Sequence, residues 1–228
     1  MLRKIFLCSI FLITGIICLK AQVANPVTDL PLQLSYEKGV NRELVIYLTG
    51  DGGWNNFNQQ IVQEIEKQGY GVVALNTRKY FWSEKTPIGF ANDFEKLSNY
   101  YLRDWSKSSL IIVGYSFGAD VAGFLPNRLS VELKNKIKKM VLLSPSASTD
   151  FLIRLSDMMG GNENINRKYK VGAEIEKVGL PVVCIFGIDE VMSLKNQLEK
   201  NKNLIINELP GDHRYNNDFS LVLKMMGL

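Results

Sequence analysis

Histidine is the scarcest reactive residue in this sequence, with a single copy, His213, among 228 residues. Cysteine is almost as scarce, because two of the three copies lie within the first 18 positions and only Cys184 comes later. A zinc site usually groups Cys and His ligands at short spacings, so we expect no metal and no cofactor. Cys184 lies in the apolar run 181–186, where a buried, unreactive thiol is expected.

Acidic residues are absent from the first 21 positions, although Arg3, Lys4 and Lys20 lie there. The two early cations precede an apolar run over 5–19, and Lys20-Ala21-Gln22 follows it. This order is typical of a cleavable signal peptide, and the run is shorter than the roughly 20 apolar residues that cross a bilayer. We therefore expect cleavage after Ala21, a periplasmic or secreted location, and a mature chain of residues 22–228.

A strong excess of positive charge is also lacking. The net charge of +4 falls by three, to +1, once residues 1–21 are removed, because that segment holds three cations and no acid. A nucleic-acid-binding protein needs a basic patch or stripe, so no nucleic-acid partner is expected. The sequence has no repeats or low-complexity linkers, which predicts one domain, and we expect it to be a monomer.

Short apolar stretches rich in β-branched residues alternate with segments of helical periodicity. The predicted strands cover 44–48, 71–75, 110–113, 140–143, 182–186 and 204–206. The predicted helices cover 57–68, 94–105, 119–125 and 218–226. This alternation predicts an α/β fold whose central sheet is mostly parallel, with helices on both faces. Ligands of such folds bind at the carboxyl ends of the strands.

Ser116 is the centre of a Gly-x-Ser-x-Gly pentapeptide over 114–118, between a predicted strand and a predicted helix. A serine hydroxyl is a poor nucleophile unless it is exposed, oriented and served by a base. In the nucleophile elbow of α/β-hydrolases, a sharp strand-to-helix turn exposes the serine. The pentapeptide and its setting therefore predict an α/β-hydrolase fold with Ser116 as the catalytic nucleophile.

His213 follows the last predicted strand, where this fold carries its base. The acid, which accepts the Nδ1 hydrogen of the imidazole, is expected on the loop after strand 182–186. Asp189 and Glu190 both lie on that loop. The commoner residue type favours Asp189, whereas the spacing of three residues from Gly187 favours Glu190. We lean towards Asp189 and leave both open.

The segment 49–54 follows the first predicted central strand and contains three glycines. Glycine lets a backbone approach a ligand closely, so we expect this loop to provide part of an oxyanion hole. Phe117 N–H, directly after the nucleophile, is the expected first donor, and Asp51, Gly52 and Gly53 are the candidates for the second. The loop lacks the Lys-Ser/Thr of a phosphate-binding P-loop.

Four segments of the sequence resemble the bacterial virulence protein VirJ / AcvB family. They cover 50–54, 114–121, 184–190 and 210–213 and occur in the expected order. The resemblance implies an α/β-hydrolase fold, a periplasmic location and a Ser-acid-His triad. For the AcvB branch it implies hydrolysis of the aminoacyl ester of lysyl-phosphatidylglycerol, and for VirJ an association with type IV secretion substrates.

Asp51 and Asp120 are two acids close in sequence to the proposed oxyanion hole and nucleophile. Either carboxylate is a candidate receptor for the ammonium of an aminoacyl substrate, and either is also suited to closing a loop through backbone N–H groups. We count Asp51, Asp120 and Trp54 as the candidate substrate-binding residues.

The segment 144–180 lies where this fold often inserts a lid. It contains an apolar stretch over 151–155, Met158 and Met159. The cations around this stretch are Arg154, Arg167, Lys168 and Lys170. An apolar face rimmed by cations suits an anionic membrane surface, although packing within the domain explains the same pattern.

The sequence as a whole predicts an exported serine hydrolase that cleaves an ester, with a lipid-borne aminoacyl ester as the substrate that the resemblance implies. A non-catalytic envelope or secretion-associated interaction module on a hydrolase scaffold is the alternative, because a fold does not fix a function.

Overall fold

The computed structural model describes residues 27–35, 37–154, 166–191, 193–198 and 202–228. The predicted signal peptide over 1–21 lies outside these residues, as do Leu155, Met158 and Met159. Within the described ranges, none of the helices combines the length and the apolar character needed to cross a membrane.

A seven-stranded sheet forms the centre of the molecule, with the spatial order β1-β3-β2-β4-β5-β8-β9. Its strands are β1 (Leu32–Leu34), β2 (Glu43–Leu48), β3 (Gly71–Leu75), β4 (Ser109–Tyr115), β5 (Ile137–Leu143), β8 (Val182–Gly187) and β9 (Leu204–Leu209). Only β1 pairs antiparallel, with β3, and the other five pairings are parallel. A separate two-stranded ribbon joins β6 (Ser148–Thr149) to β7 (Tyr169–Lys170).

Helices connect the parallel strands. They are α1 (Asn56–Lys67), α2 (Thr77–Tyr80), α3 (Pro87–Asp104), α4 (Phe117–Ala122), α5 (Val131–Lys134), α6 (Val171–Glu176), α7 (Ser193–Gln197) and α8 (Phe219–Met226). Two apolar clusters cover opposite faces of the sheet: α3, α4 and α6 pack on one face, and α1 and α8 on the other. Alternate residues of a strand enter different clusters, as Ile46 and Tyr47 do. The predicted α/β fold class is confirmed.

Each of the six predicted strands is present, with ends that differ by up to three residues. Among the predicted elements, the largest boundary error concerns α3, which begins at Pro87 and not at residue 94. Thr86 caps this helix by accepting a hydrogen bond from the Gly89 N–H, and Pro87 occupies its first position. Both are recognised start signals for a helix, so the earlier start was readable from the sequence.

Candidate active site

Ser116 occupies the sharp turn between β4 and α4. Its backbone has φ 53° and ψ −122°, a conformation that non-glycine residues adopt only when the surrounding structure imposes it. The side chain is partly exposed at the carboxyl end of β4. This is the geometry of a nucleophile elbow.

The two glycines of the pentapeptide are required by close backbone packing. A Cβ at Gly118 would lie 2.3 Å from both the Leu48 and Thr49 carbonyl oxygens. A Cβ at Gly114 would lie 2.5 Å from the Gly118 carbonyl oxygen. The turn can therefore approach the end of β2 only because these positions lack side chains.

His213 lies on the loop after β9, and its Nδ1 is in hydrogen-bond contact with Glu190 Oε1. The Glu190 side chain is 4% exposed, whereas that of His213 is 41% exposed. Glu190 Oε2 also accepts hydrogen bonds from the Gly187 N–H at 2.6 Å and from the Ser144 hydroxyl at 2.7 Å. Glu190 is therefore a buried, multiply bonded carboxylate that orients the imidazole.

Asp189 is exposed, and its side chain makes no hydrogen bond or ion pair within the described ranges. Its backbone N–H donates to the Gly211 carbonyl at 3.0 Å, which closes the turn. The geometry therefore does not support the preference for Asp189 over Glu190 as the acid that bonds to His213. The turn directs the second residue of the pair, Glu190, inward to the imidazole, so the spacing from Gly187 was the better guide.

Ser144 holds the Glu190 carboxylate and Tyr215 contacts Ser144 from behind, and neither residue was predicted. The two hydroxyls are 2.5 Å apart, and the Tyr215 hydroxyl also donates to the Ile185 carbonyl at 3.2 Å. Both side chains are buried, and burial raises the pKa of Tyr215. The available signal for Ser144 was its position directly after β5, at the same strand edge as the other candidates.

Tyr115 links the nucleophile turn to the His213 loop. Its hydroxyl donates to the His213 carbonyl at 3.1 Å, and the two rings lie 5.2 Å apart. Among the described residues, the Ser116 hydroxyl itself forms no hydrogen bond, including none to His213. Serine–histidine hydrogen bonds are often long in ligand-free enzymes and shorten when substrate binds.

The glycine loop after β2 packs directly against the nucleophile, since a Cβ at Gly50 would lie 3.3 Å from Ser116 Cβ. Gly52 N–H donates to Asp51 Oδ1 at 2.8 Å, and Gly53 N–H donates to the Gly50 carbonyl at 2.9 Å. These internal bonds argue against Gly52 and Gly53 as oxyanion donors.

Two backbone N–H groups remain suitable for an oxyanion. Within the described residues, those of Asp51 and Phe117 donate to no other group. Phe117 is the first residue of α4, where helix geometry leaves N–H groups without partners. Phe117 directly follows Ser116, and Asp51 directly follows Gly50, which packs on Ser116.

Asp120 is only 5% exposed, and its Oδ1 accepts a hydrogen bond from the Ser146 N–H at 2.6 Å. This placement suits a carboxylate that closes a loop through backbone N–H groups, and a substrate-binding role for Asp120 stays a prediction. Trp54 is half-buried and lines a pocket beside the glycine loop. Asp51 is partly exposed on the same loop.

Of the four residues of the stretch 151–155 that the structure describes, two lie in the core. Phe151 is fully buried and stacks edge-on with Phe81, Phe124 and Tyr169. Ile153 is also buried. Two of the neighbouring cations, Arg154 and Arg167, pair with Asp150. The membrane-facing interpretation of this stretch is therefore wrong for Phe151 and Ile153.

Two further expectations concern metal ligands and thiol chemistry. Within the described ranges, no three His, Cys, Asp or Glu side chains are grouped closely enough to hold a metal ion. Cys184 is buried in β8, and desolvation raises its pKa to about 12. A thiol in this state is a poor nucleophile.

Comparison with solved structures identifies the fold. Est1E from Butyrivibrio proteoclasticus is 14% identical over 86% of this chain and 93% of that chain, with a TM-score of 0.59. The esterase domain of a Rhodothermus marinus protein is 10% identical over 86% and 88%, with a TM-score of 0.58. An esterase of Pyrococcus furiosus is 17% identical over 83% and 84%, with a TM-score of 0.56. The fold is that of the α/β-hydrolases.

A search of curated protein sequences finds no match. A family model does match, over residues 42–227, and its description is bacterial virulence protein (VirJ). The match includes the nucleophile turn, the glycine loop, Glu190 and His213. The chain therefore belongs to the VirJ family.

Proposed function

We propose that this protein is a serine ester hydrolase whose catalytic residues are Ser116, His213 and Glu190. The observation that carries the proposal is the buried Glu190 carboxylate on His213 Nδ1, at the same sheet edge as the strained Ser116 turn. Solved structures of similar fold include esterases.

The reaction begins when His213 Nε2 removes the hydroxyl proton of Ser116 as Oγ attacks the ester carbonyl. Glu190 stabilises the resulting imidazolium, and the N–H groups of Phe117 and Asp51 donate to the tetrahedral oxyanion. His213 then protonates the departing alcohol, leaving an acyl group on Ser116. Water, deprotonated by His213, releases the acid and restores the serine.

A fluorophosphonate probe tests the nucleophile, because it labels activated serines covalently. We expect wild type to be labelled and Ser116→Ala to be neither labelled nor active, with a loss of at least about 10,000-fold in kcat. Ser108→Ala, at an exposed position before β4, is the matched control and should behave as wild type. Labelling that persists in Ser116→Ala would exclude Ser116.

A second candidate is a non-catalytic interaction module on a hydrolase scaffold. The observation that favours it is the Ser116 hydroxyl, which lacks a hydrogen bond to His213 in the described structure. Complete absence of probe labelling in folded wild-type protein would favour this candidate over the enzyme.

The family resemblance supports the proposed substrate, and the pattern of residues 1–21 supports the proposed location. We propose that the protein is exported and acts on an ester borne by a phospholipid, with the aminoacyl ester of lysyl-phosphatidylglycerol as the first compound to test. Lipid profiling of a deletion strain addresses the substrate, and cell fractionation addresses the location. Accumulation of an aminoacylated lipid, reversed by wild type but not by Ser116→Ala, is the expected result.

A further inference from the structure

A pocket of about 500 Å³ opens beside the glycine loop. Gly52, Gly53 and Trp54 form one wall, and Asn76, Arg78, Lys79 and Trp82 form the other. The walls meet at Gly53, where a Cβ would lie 2.8 Å from Asn76 Oδ1 and 3.1 Å from Arg78 Cβ. The pocket is therefore continuous with the loop that packs on Ser116.

The charged groups of this pocket are mostly positive. Arg78 and Lys79 form no ion pair among the described residues. The nearby carboxylate is that of Asp51, which accepts the Gly52 N–H. Some other cations in the structure do have acidic partners, as Arg128 has in Glu174. Both charged residues that line the pocket are cations, and this leaves the pocket suited to an anion.

The aromatic residues add an apolar boundary. The Trp82 residue is 57% exposed, which is unusual for a large aromatic side chain, and Trp54 is half-buried on the opposite wall. Exposed tryptophan beside a polar pocket is typical of a ligand-binding site. The two indoles can contact the hydrocarbon part of a ligand while the cations contact its charged part.

We infer that this pocket binds an oxyanion group, a phosphate or a carboxylate, carried by the ester substrate. Arg78 offers the planar fork that matches such groups, and Lys79 adds a point charge. The inference rests on the proposed esterase function, since the bound anion would position the ester at Ser116. This pocket would prefer a negatively charged group, whereas the Asp51 hypothesis has the glycine loop receive a positively charged ammonium.

The test compares two esters that differ only in charge, hexanoylglycerol phosphate and hexanoylglycerol. We expect wild type to prefer the phosphate ester by at least about 10-fold in kcat/KM. The double variant Arg78→Gln/Lys79→Gln should reduce this ratio to near one. Arg103→Gln/Lys136→Gln, which removes two exposed cations at the opposite sheet edge, should keep it. Equal kcat/KM values in wild type would overturn the inference and leave the esterase proposal standing.

A binding measurement separates the two proposals. Ser116→Ala retains the pocket, so hexanoylglycerol phosphate should change its tryptophan fluorescence saturably. The change should disappear when Arg78→Gln/Lys79→Gln is added to Ser116→Ala. This result would support the pocket even if wild type hydrolyses neither ester. Absence of binding, or binding that survives the double change, would overturn the inference.

To identify the source of the anion, the oleoyl ester of glycerol phosphate and the uncharged oleoyl ester of glycerol are presented in phosphatidylcholine vesicles. If the ratio of kcat/KM for the charged ester to kcat/KM for the uncharged ester is higher in vesicles than for the hexanoyl pair, the site binds a lipid headgroup. An equal ratio would assign it to a soluble phosphate ester. A ratio near one in both settings would refute anion binding.

Discussion

The two sides of Ser116 are built differently. On one side, after β5, β8 and β9, buried groups bond to one another, and Glu190 is held by Ser144, Gly187 and His213. On the other side, after β2 and β3, a glycine loop and a cation-lined pocket face solvent. Under the proposed function, the first side orients the imidazole that transfers protons, and the second side receives a group of the substrate.

This difference separates reactivity from selectivity. A base must be held in one orientation and tautomer, which demands a network whose polar groups are all satisfied. A binding pocket needs groups that still lack partners, because those groups supply the interaction with ligand. Changes on the first side should therefore affect kcat, whereas changes on the second should affect substrate preference.

The neighbouring acids Asp189 and Glu190 provide the largest expected effect. Glu190→Gln should lower kcat about 1,000-fold, because the neutral amide no longer stabilises the imidazolium. Asp189→Asn should stay within about twofold of wild type, since its side chain is exposed. Steady-state kinetics with one uncharged ester measures both. Similar losses in the two variants would contradict the pairing of His213 with Glu190.

Gly118 tests the turn that joins the two sides. Gly118→Ala should destabilise the fold by about 3 kcal/mol, because its Cβ would overlap two carbonyl oxygens at the end of β2. Gly179→Ala is the control, since a Cβ there has no neighbour within 4 Å. Urea unfolding gives both free energies. A stable Gly118→Ala protein would show that the turn can move away from β2.

The hydroxyl network behind Glu190 should have a smaller effect. Ser144→Ala removes one hydrogen bond to the carboxylate and should lower kcat about 10-fold with little change in KM. Tyr215→Phe removes the bond one step further away and should cost less. A positioning role predicts that the pH profile of kcat also shifts in Ser144→Ala. A loss of stability alone, with an unchanged profile, would indicate that Ser144 only packs.

The Arg128–Glu174 pair contrasts with the cations of the pocket and has the smallest expected effect. The hydrogen bond from Arg128 lowers the pKa of Glu174. The stability that this pair adds is therefore complete above the usual glutamate pKa of about 4.3 and is lost as the pH falls through the lowered value.

Glu174→Gln should cost on the order of 1 kcal/mol near neutrality and nothing in strong acid. Glu176→Gln, an exposed position on the same helix, is the control. Unfolding free energies across the acidic range give the comparison. If the difference in unfolding free energy between wild type and Glu174→Gln is the same at low pH as near neutrality, the ionic contribution of this pair is contradicted.

Much of the fold was predictable because a parallel strand that is buried on both faces consists of a continuous run of apolar residues. Ser116 and His213 were predictable because each has a local signature, a glycine-flanked turn and a unique imidazole at a strand end. The start of α3 was missed although Thr86 and Pro87 signalled it. Ser144 and Tyr215 had no comparable signature, because they are 71 residues apart and meet only through the sheet.

The sequence by itself determined that a serine, a histidine and a glycine loop follow apolar strands, because strand ends and tight turns leave local patterns. The tertiary structure alone showed which of Asp189 and Glu190 contacts His213. Both belong to one turn, and only packing against the His213 loop makes one of them buried and leaves the other exposed. It also placed Arg78 against Gly53 and Lys79 in the lining of the same pocket, an arrangement that depends on how two neighbouring strand ends approach each other.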